Sequence, residues 1–195
     1  MKIRRALSAS VATAVLLPVA LAAAPVAQAA PAAEMPDCHE IGGHHNQAFV
    51  GRSFGVPETI TLGNEWKPFN ATLTNTSTKE MKSFSLSARV SNHVYNPGER
   101  YLSPYADLQY WDPAQKAWKT LREGDVASGA IPAPKTLKPR ESVHVQLRFR
   151  VREGLPLEQA YDAFAYLTGT FVDRYNGMDC TVSDSAGDTF AIVGK

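Results

Sequence analysis

The ten residues from Ser142 to Val151, SVHVQLRFRV, alternate without a break. Val143, Val145, Leu147, Phe149 and Val151 are apolar, and His144, Gln146, Arg148 and Arg150 between them are polar. Successive side chains of an extended chain point to opposite faces, so this period specifies a strand with one face buried and the other in water. A helix would scatter the same five apolar groups around its circumference. Lys82 to Asn92 repeats the pattern, with Phe84, Leu86, Ala88 and Val90 against Ser85, Ser87 and Arg89. Two such segments commit the chain to layered β-structure, because each buried face needs another face to cover it.

Other segments fit that frame. Trp66 to Asn75 puts Phe69, Ala71 and Leu73 on one side, and Glu58 to Leu62 is short and β-branched. Tyr105 to Asp112 and Ala117 to Leu121 bracket a turn containing Pro113, which reads as a hairpin. Residues 93–104 form a long loop punctuated by Pro97 and Gly98. The stretch from Arg122 to Glu141 holds Pro132, Pro134 and Pro139 without periodicity, as expected of a crossing loop or a short edge strand. Ala160 to Asp173 is a further long strand, with Gly169 marking a bulge or close packing, and Asp188 to Val193 closes the chain. About seven or eight short strands with turn chemistry between them predict an all-β, antiparallel β-sandwich over residues 56–195.

Residues 1–29 read as a signal peptide outside that fold. A basic start, MKIRR, precedes an uncharged apolar run that ends at the small residues Ala27, Gln28 and Ala29. Cleavage is expected after Ala29, with Ala30 as the alternative; an uncleaved membrane anchor is the competing reading. Arg4 and Arg5 form a pair whose flanks match a twin-arginine signal only in part. Without Lys2, Arg4 and Arg5, the 20 basic residues fall to 17 against 19 acidic ones, a net charge of about −2. Such a chain is not steered to polyanions as a whole, and nucleic acid is not expected as a partner. No membrane span is expected in the mature protein, and a monomer is expected.

Residues 30–55 read as a flexible N-terminal segment carrying a Cys/His cluster, DCHEIGGHHN from Asp37 to Asn46. His39 and His44 stand five apart, roughly 140° around a helix, and Gly42 and Gly43 lie between them. That spacing breaks the H-E-x-x-H clamp, in which histidines at i and i+4 share one face and grip one zinc. Cys38 and Cys180 are the only cysteines. In an oxidising compartment an even pair bridges, tying this segment to the end of the domain. The alternative is a copper or zinc site that uses His39, His44 and His45, with or without Cys38 as a thiolate ligand beside His39. No cofactor or metal is expected on the first reading.

Asp173, Asp179, Asp184 and Asp188 read as a solvated acidic turn, with calcium as the alternative. His93 and His144 read as surface histidines. The aromatic side chains between residues 95 and 118 offer Trp111, Trp118, Tyr101 and Tyr105 as candidate binding residues. An outward tryptophan stacks on a sugar or protein, whereas cross-strand packing of Trp111 on Trp118 would stabilise a hairpin without any ligand. No nucleophile elbow, phosphate loop or dinucleotide fingerprint occurs, so no catalytic residue is assigned.

Three segments carry a resemblance. ITLGNEWKPFNATLTNTSTKEMKSFSLSARV (Ile60–Val90) is similar to the opening of bacterial surface immunoglobulin-like modules, in which a strand ending in N-x-T/S leads through a polar turn to an alternating strand. DLQYWDPAQKAW (Asp107–Trp118) resembles their hairpin, and LKPRESVHVQLRFRV (Leu137–Val151) their proline step into a strand. The match covers Glu58 to Val193 and resembles secreted or wall-associated proteins of high-GC Gram-positive bacteria. It implies an immunoglobulin-like sandwich in a secreted, non-catalytic protein that binds a protein or glycan at the cell envelope, or builds it. Many such proteins carry a C-terminal sorting signal or membrane tail. FAIVGK has neither character, and anchoring by that route is not expected.

Overall fold

The structure, a computed structural model, describes residues 35–42, 48–93, 101–156 and 161–193. Eleven strands form among them: β1 Phe49–Phe54, β2 Thr59–Thr61, β3 Lys67–Asn75, β4 Met81–Asn92, β5 Ala106–Asp112, β6 Ala117–Leu121, β7 Ser128–Ile131, β8 Thr136–Leu137, β9 Ser142–Val151, β10 Tyr161–Tyr175 and β11 Met178–Val193. One sheet runs β1-β3-β9-β5-β6 and the other β2-β11-β10-β4-β7, with β8 paired to β4. Every strand pair is antiparallel except β2 on β11. The result is an all-β sandwich of two facing sheets.

The alternating segments behave as their period requires. Leu147, Phe149 and Val151 of β9 are buried, as are Phe69, Ala71 and Leu73 of β3 and Phe84, Leu86, Ala88 and Val90 of β4. Each large side chain so buried contributes about 1.5–3 kcal/mol by removing apolar surface from water. The layers interlock through aromatic rings. Phe149 meets Phe190 at 4.8 Å between centroids, and Phe49 meets Phe84 at 5.7 Å and Phe171 at 5.6 Å. A buried polar side chain, Asn75, closes the β3–β4 turn. Its amide donates to the carbonyls of Lys79 and Leu137 at 2.9 Å each, and its Oδ1 accepts from Ser77 N–H and the Ser77 hydroxyl.

Several boundaries differ from the sequence reading. Residues 30–55 include β1, with Ala48 and Phe49 buried, so the sandwich begins before Val56. Its short length and Gly51 hide it from a periodicity argument. The glycine is needed there: a Cβ would lie 2.4 Å from the Ser185 carbonyl oxygen where β1 crosses β11. The closing strand starts at Met178 rather than Asp188, because β11 pairs with β10 along its whole length. That pairing also spreads the four aspartates along the hairpin. Asp173 stands opposite Cys180, Asp184 opposite Gly169 and Asp188 opposite Ala165. Asp173, Asp179 and Asp188 are exposed and Asp184 is half-buried; Asp173 and Asp179 stay beside the β10–β11 turn, but the four do not share one loop, which the calcium alternative required. The stretch after Arg122 contributes two short strands, β7 and β8. Gly169 satisfies both expectations. A bulge lies next to it between Thr170 and Val172, and a Cβ there would come within 2.9 Å of Leu73.

Cys38 and Cys180 form a disulfide across 142 residues of sequence. Backbone hydrogen bonds reinforce the staple: Cys38 N–H donates to Thr181 O, and Thr181 N–H donates to Pro36 O, both at 2.9 Å. The expected signal peptide with its cleavage point at Ala29, His44, His45, Tyr95 and the expected loop at Pro97 and Gly98 lie outside the described residues.

Candidate recognition surface on the five-stranded sheet

The polar half of the β9 alternation faces away from the core. Strand register fixes its neighbours: Arg148 stands opposite Pro68 of β3 and Gln109 of β5, and Arg150 opposite Asp107. On the far side of β5, Trp111 stands opposite Trp118 and Gln109 opposite Thr120 of β6. Trp66 enters the same neighbourhood just ahead of β3. The chain has three tryptophans, and all three converge here.

Their contacts run as a continuous row. The Arg148 guanidinium carbon lies 4.6 Å from the Trp66 ring centroid and 4.2 Å from that of Trp118. Arg150 approaches Trp66 at 4.6 Å. Trp118 meets Trp111 edge to face, with centroids 5.5 Å apart and planes at 66°. A cation over an indole face is attracted by the ring quadrupole, by about 0.5–2 kcal/mol depending on desolvation. Gln109 sets the orientation: its Oε1 accepts from Arg148 Nε at 2.8 Å, and its amide donates to the Thr120 hydroxyl at 3.1 Å. The Arg148 guanidinium holds its proton less tightly than a free arginine, first because burial penalises the charge and then because Arg150 stands beside it.

Beside this row, Asp107 gathers arginines. Arg122 Nη2 donates to it at 3.0 Å and Arg150 Nε at 2.9 Å, while Arg152 comes to 3.7 Å. Arg122 also donates to the carbonyl of Ala106.

The sequence-derived candidates divide. Trp111 and Trp118 pack on one another across the hairpin and belong to this surface. Tyr105 ends the helical turn Ser103–Tyr105 at the other end of β5, and Tyr101 lies two residues before it. Tyr101 is exposed, and Tyr105 packs partly against the core. Trp66, Arg148, Arg150, Gln109 and Asp107 were not singled out from sequence. The available signal was the pair of arginines on the outward face of β9. His144 points outward, its Nδ1 2.9 Å from the Thr72 hydroxyl, and His93 packs against Phe164.

Of the Cys/His cluster, residues 37–42 are described. His39 lines a cleft of about 630 Å³ beside the disulfide, together with Lys79, Glu80, Asp173 and Arg174. Its backbone N–H donates to Asp37 Oδ1. The disulfide removes Cys38 from the candidate ligand set. Among the described residues, no three His, Cys, Asp or Glu side chains converge as a metal site. No helix among them is long and apolar enough to cross a membrane.

No protein-family model and no curated protein sequence matches the chain. Solved structures do. AvmM, which catalyses macrocyclisation in alchivemycin A biosynthesis, aligns with a TM-score of 0.55 at 18% identity, over 77% of this chain and 90% of its own. The major pilin subunit BcpA of Bacillus cereus aligns at 0.37 and 14% identity, over 75% of this chain and 40% of its own. AggA, the major subunit of aggregative adherence fimbriae type I of Escherichia coli, aligns at 0.29 and 13% identity, over 75% and 94%. The chain's solved neighbours thus include an enzyme as well as pilin and fimbrial subunits, and its likeness to AvmM is one of fold.

Proposed function

We propose that the chain is an exported, non-catalytic immunoglobulin-like protein of the cell envelope or extracellular space, which binds a glycan or protein through the outer face of its five-stranded sheet. One observation carries the reading: two arginines stack on Trp66 and Trp118, and Trp111 packs on Trp118, along a single outward sheet surface. Aromatic and arginine side chains dominate recognition energetics, because they present large, stiff contact areas with polar tips. The disulfide supports an oxidising destination. Export predicts a mature protein beginning at Ala30, which N-terminal sequencing of secreted protein tests.

The non-catalytic part rests on how the charged groups of the surface are used. Asp107 is committed to Arg122 and Arg150, and Arg148 is held between Gln109 and two indoles. Neither is placed as a free acid or base beside a nucleophile. AvmM shares the fold and is an enzyme, and a fold hosts unrelated activities. The experiment is capture from a cell-envelope fraction by immobilised mature protein. Wild type retains a glycan or protein at micromolar concentration, and Trp118→Ala loses it. No retention by wild type, or equal retention by the variant, ends the reading. Metal binding through His39, His44 and His45 is the alternative. Saturable copper or zinc uptake by the untagged protein, lost when the three are replaced by alanine, would favour it.

A further inference from the structure

We infer that this sheet face receives an acidic glycan, the ring of one sugar resting against the Trp118–Trp111 pair and its carboxylate meeting the terminal guanidinium nitrogens of Arg148. The inference rests on the binding role proposed above and adds the chemical class of the ligand. The charge balance of the surface points the same way. Arg122, Arg148, Arg150 and Arg152 lie along it, and Asp107 is the one carboxylate among the described residues that pairs with any of them. Glu65, next to Trp66, is taken by Lys67 at 2.6 Å. Four guanidinium groups against one carboxylate leave three positive charges for a partner to meet.

Arg148 is the most specific of the four. Among the described residues its Nε bonds to a neutral amide oxygen, and no carboxylate reaches it. The side chain is half-buried against two indoles, and its charged form is disfavoured by that burial and by Arg150. A partly desolvated cation without a counter-ion gains more from an arriving anion than a solvated one does. Gln109 holds the Nε edge, which leaves the Nη edge for a planar, two-oxygen acceptor. A carboxylate fits that fork. Beside it, the 66° angle between Trp118 and Trp111 makes a walled corner rather than a flat floor. Such a corner suits the apolar C–H face of a sugar ring with its acidic substituent turned toward the arginines.

The test uses the mature, disulfide-intact protein and a galacturonic acid oligomer, alongside the same oligomer with its carboxylates reduced to alcohols. Because every tryptophan lies on this face, intrinsic fluorescence reads binding directly, and calorimetry checks it. The acidic oligomer should bind at least tenfold more tightly than the reduced one and weaken as salt is raised. Arg148→Gln should lower its affinity at least tenfold while leaving the thermal midpoint within a few degrees; Arg148→Lys should fall between. Equal binding of both oligomers overturns the acidic preference and leaves the sheet-face reading standing. Binding that ignores Arg148→Gln, or no signal from either oligomer up to millimolar concentration, overturns the assignment. The envelope capture with Trp118→Ala then decides independently whether the face binds anything.

Discussion

Asn75 shows how one residue holds two strands in register. It is fully buried, yet its side chain makes four hydrogen bonds to the β3–β4 turn and to Leu137 of β8. The N-x-S pattern in Asn75–Ser77, seen in sequence as part of a family resemblance, therefore has a physical cause: the asparagine completes a turn that backbone groups alone do not satisfy. Asn75→Ala strands the Lys79 and Leu137 carbonyls and the Ser77 N–H away from this partner. The expected loss is about 2–3 kcal/mol, read as a lower urea midpoint at unchanged slope. Gly51 makes the opposite kind of demand, for absence of a side chain. An alanine Cβ would sit 2.4 Å from Ser185 O and 2.9 Å from Ala186 Cα, both backbone atoms that move only if strands move. Gly51→Ala is expected to cost about 1–3 kcal/mol by the same measurement. A neutral result would mean that β1 is free to shift from β11.

At the scale of elements, legibility followed burial. β9 and β4 were readable because a single face of each is covered, which forces apolar and polar residues to alternate. β11 was half missed. Between Met178 and Gly187 it is largely polar on both faces, and its extension comes from the full-length ladder with β10 rather than from any pattern of its own. The Trp111–Trp118 contact was legible because a hairpin makes it local. The Trp66–Arg148–Trp118 row was not, since it depends on the order β3-β9-β5-β6, which brings together residues far apart in sequence. The disulfide was foreseen from the cysteine count, and it ties the N-terminal strap to the β10–β11 hairpin. Replacing both cysteines by serine should destabilise the protein, with about 5 kcal/mol as the chain-entropy ceiling for a loop this long. The loss should fall short of that, because the Cys38–Thr181 and Thr181–Pro36 backbone bonds still hold the strap. Hydrogen exchange should then quicken first at the position 38 and Thr181 amides. An unchanged denaturation midpoint would show that the staple constrains nothing the fold needs.

Across the whole molecule, the two sheets share one core rather than owning one each. Phe49 belongs to the five-stranded sheet but packs on Phe84 and Phe171 of the other, and Phe149 packs on Phe190 across the same gap. Neither layer can open without exposing the apolar face of its partner, so both should unfold in one step. The tryptophans give a clean way to check. They all stand on the outer face of the five-stranded sheet, whereas far-ultraviolet circular dichroism reports strands of both sheets. Urea curves followed by the two signals, with the disulfide intact, should superimpose. A fluorescence transition at lower urea than the dichroism transition would mean that the tryptophan-bearing face melts first, and the shared aromatic core would then not be what couples the layers. Refolding should be slow for a chain of this size, in milliseconds to seconds. Central pairings such as β3 with β9 and β4 with β10 join residues 68 to 90 positions apart, and their loop-closure cost must be met before the core contacts between those strands form.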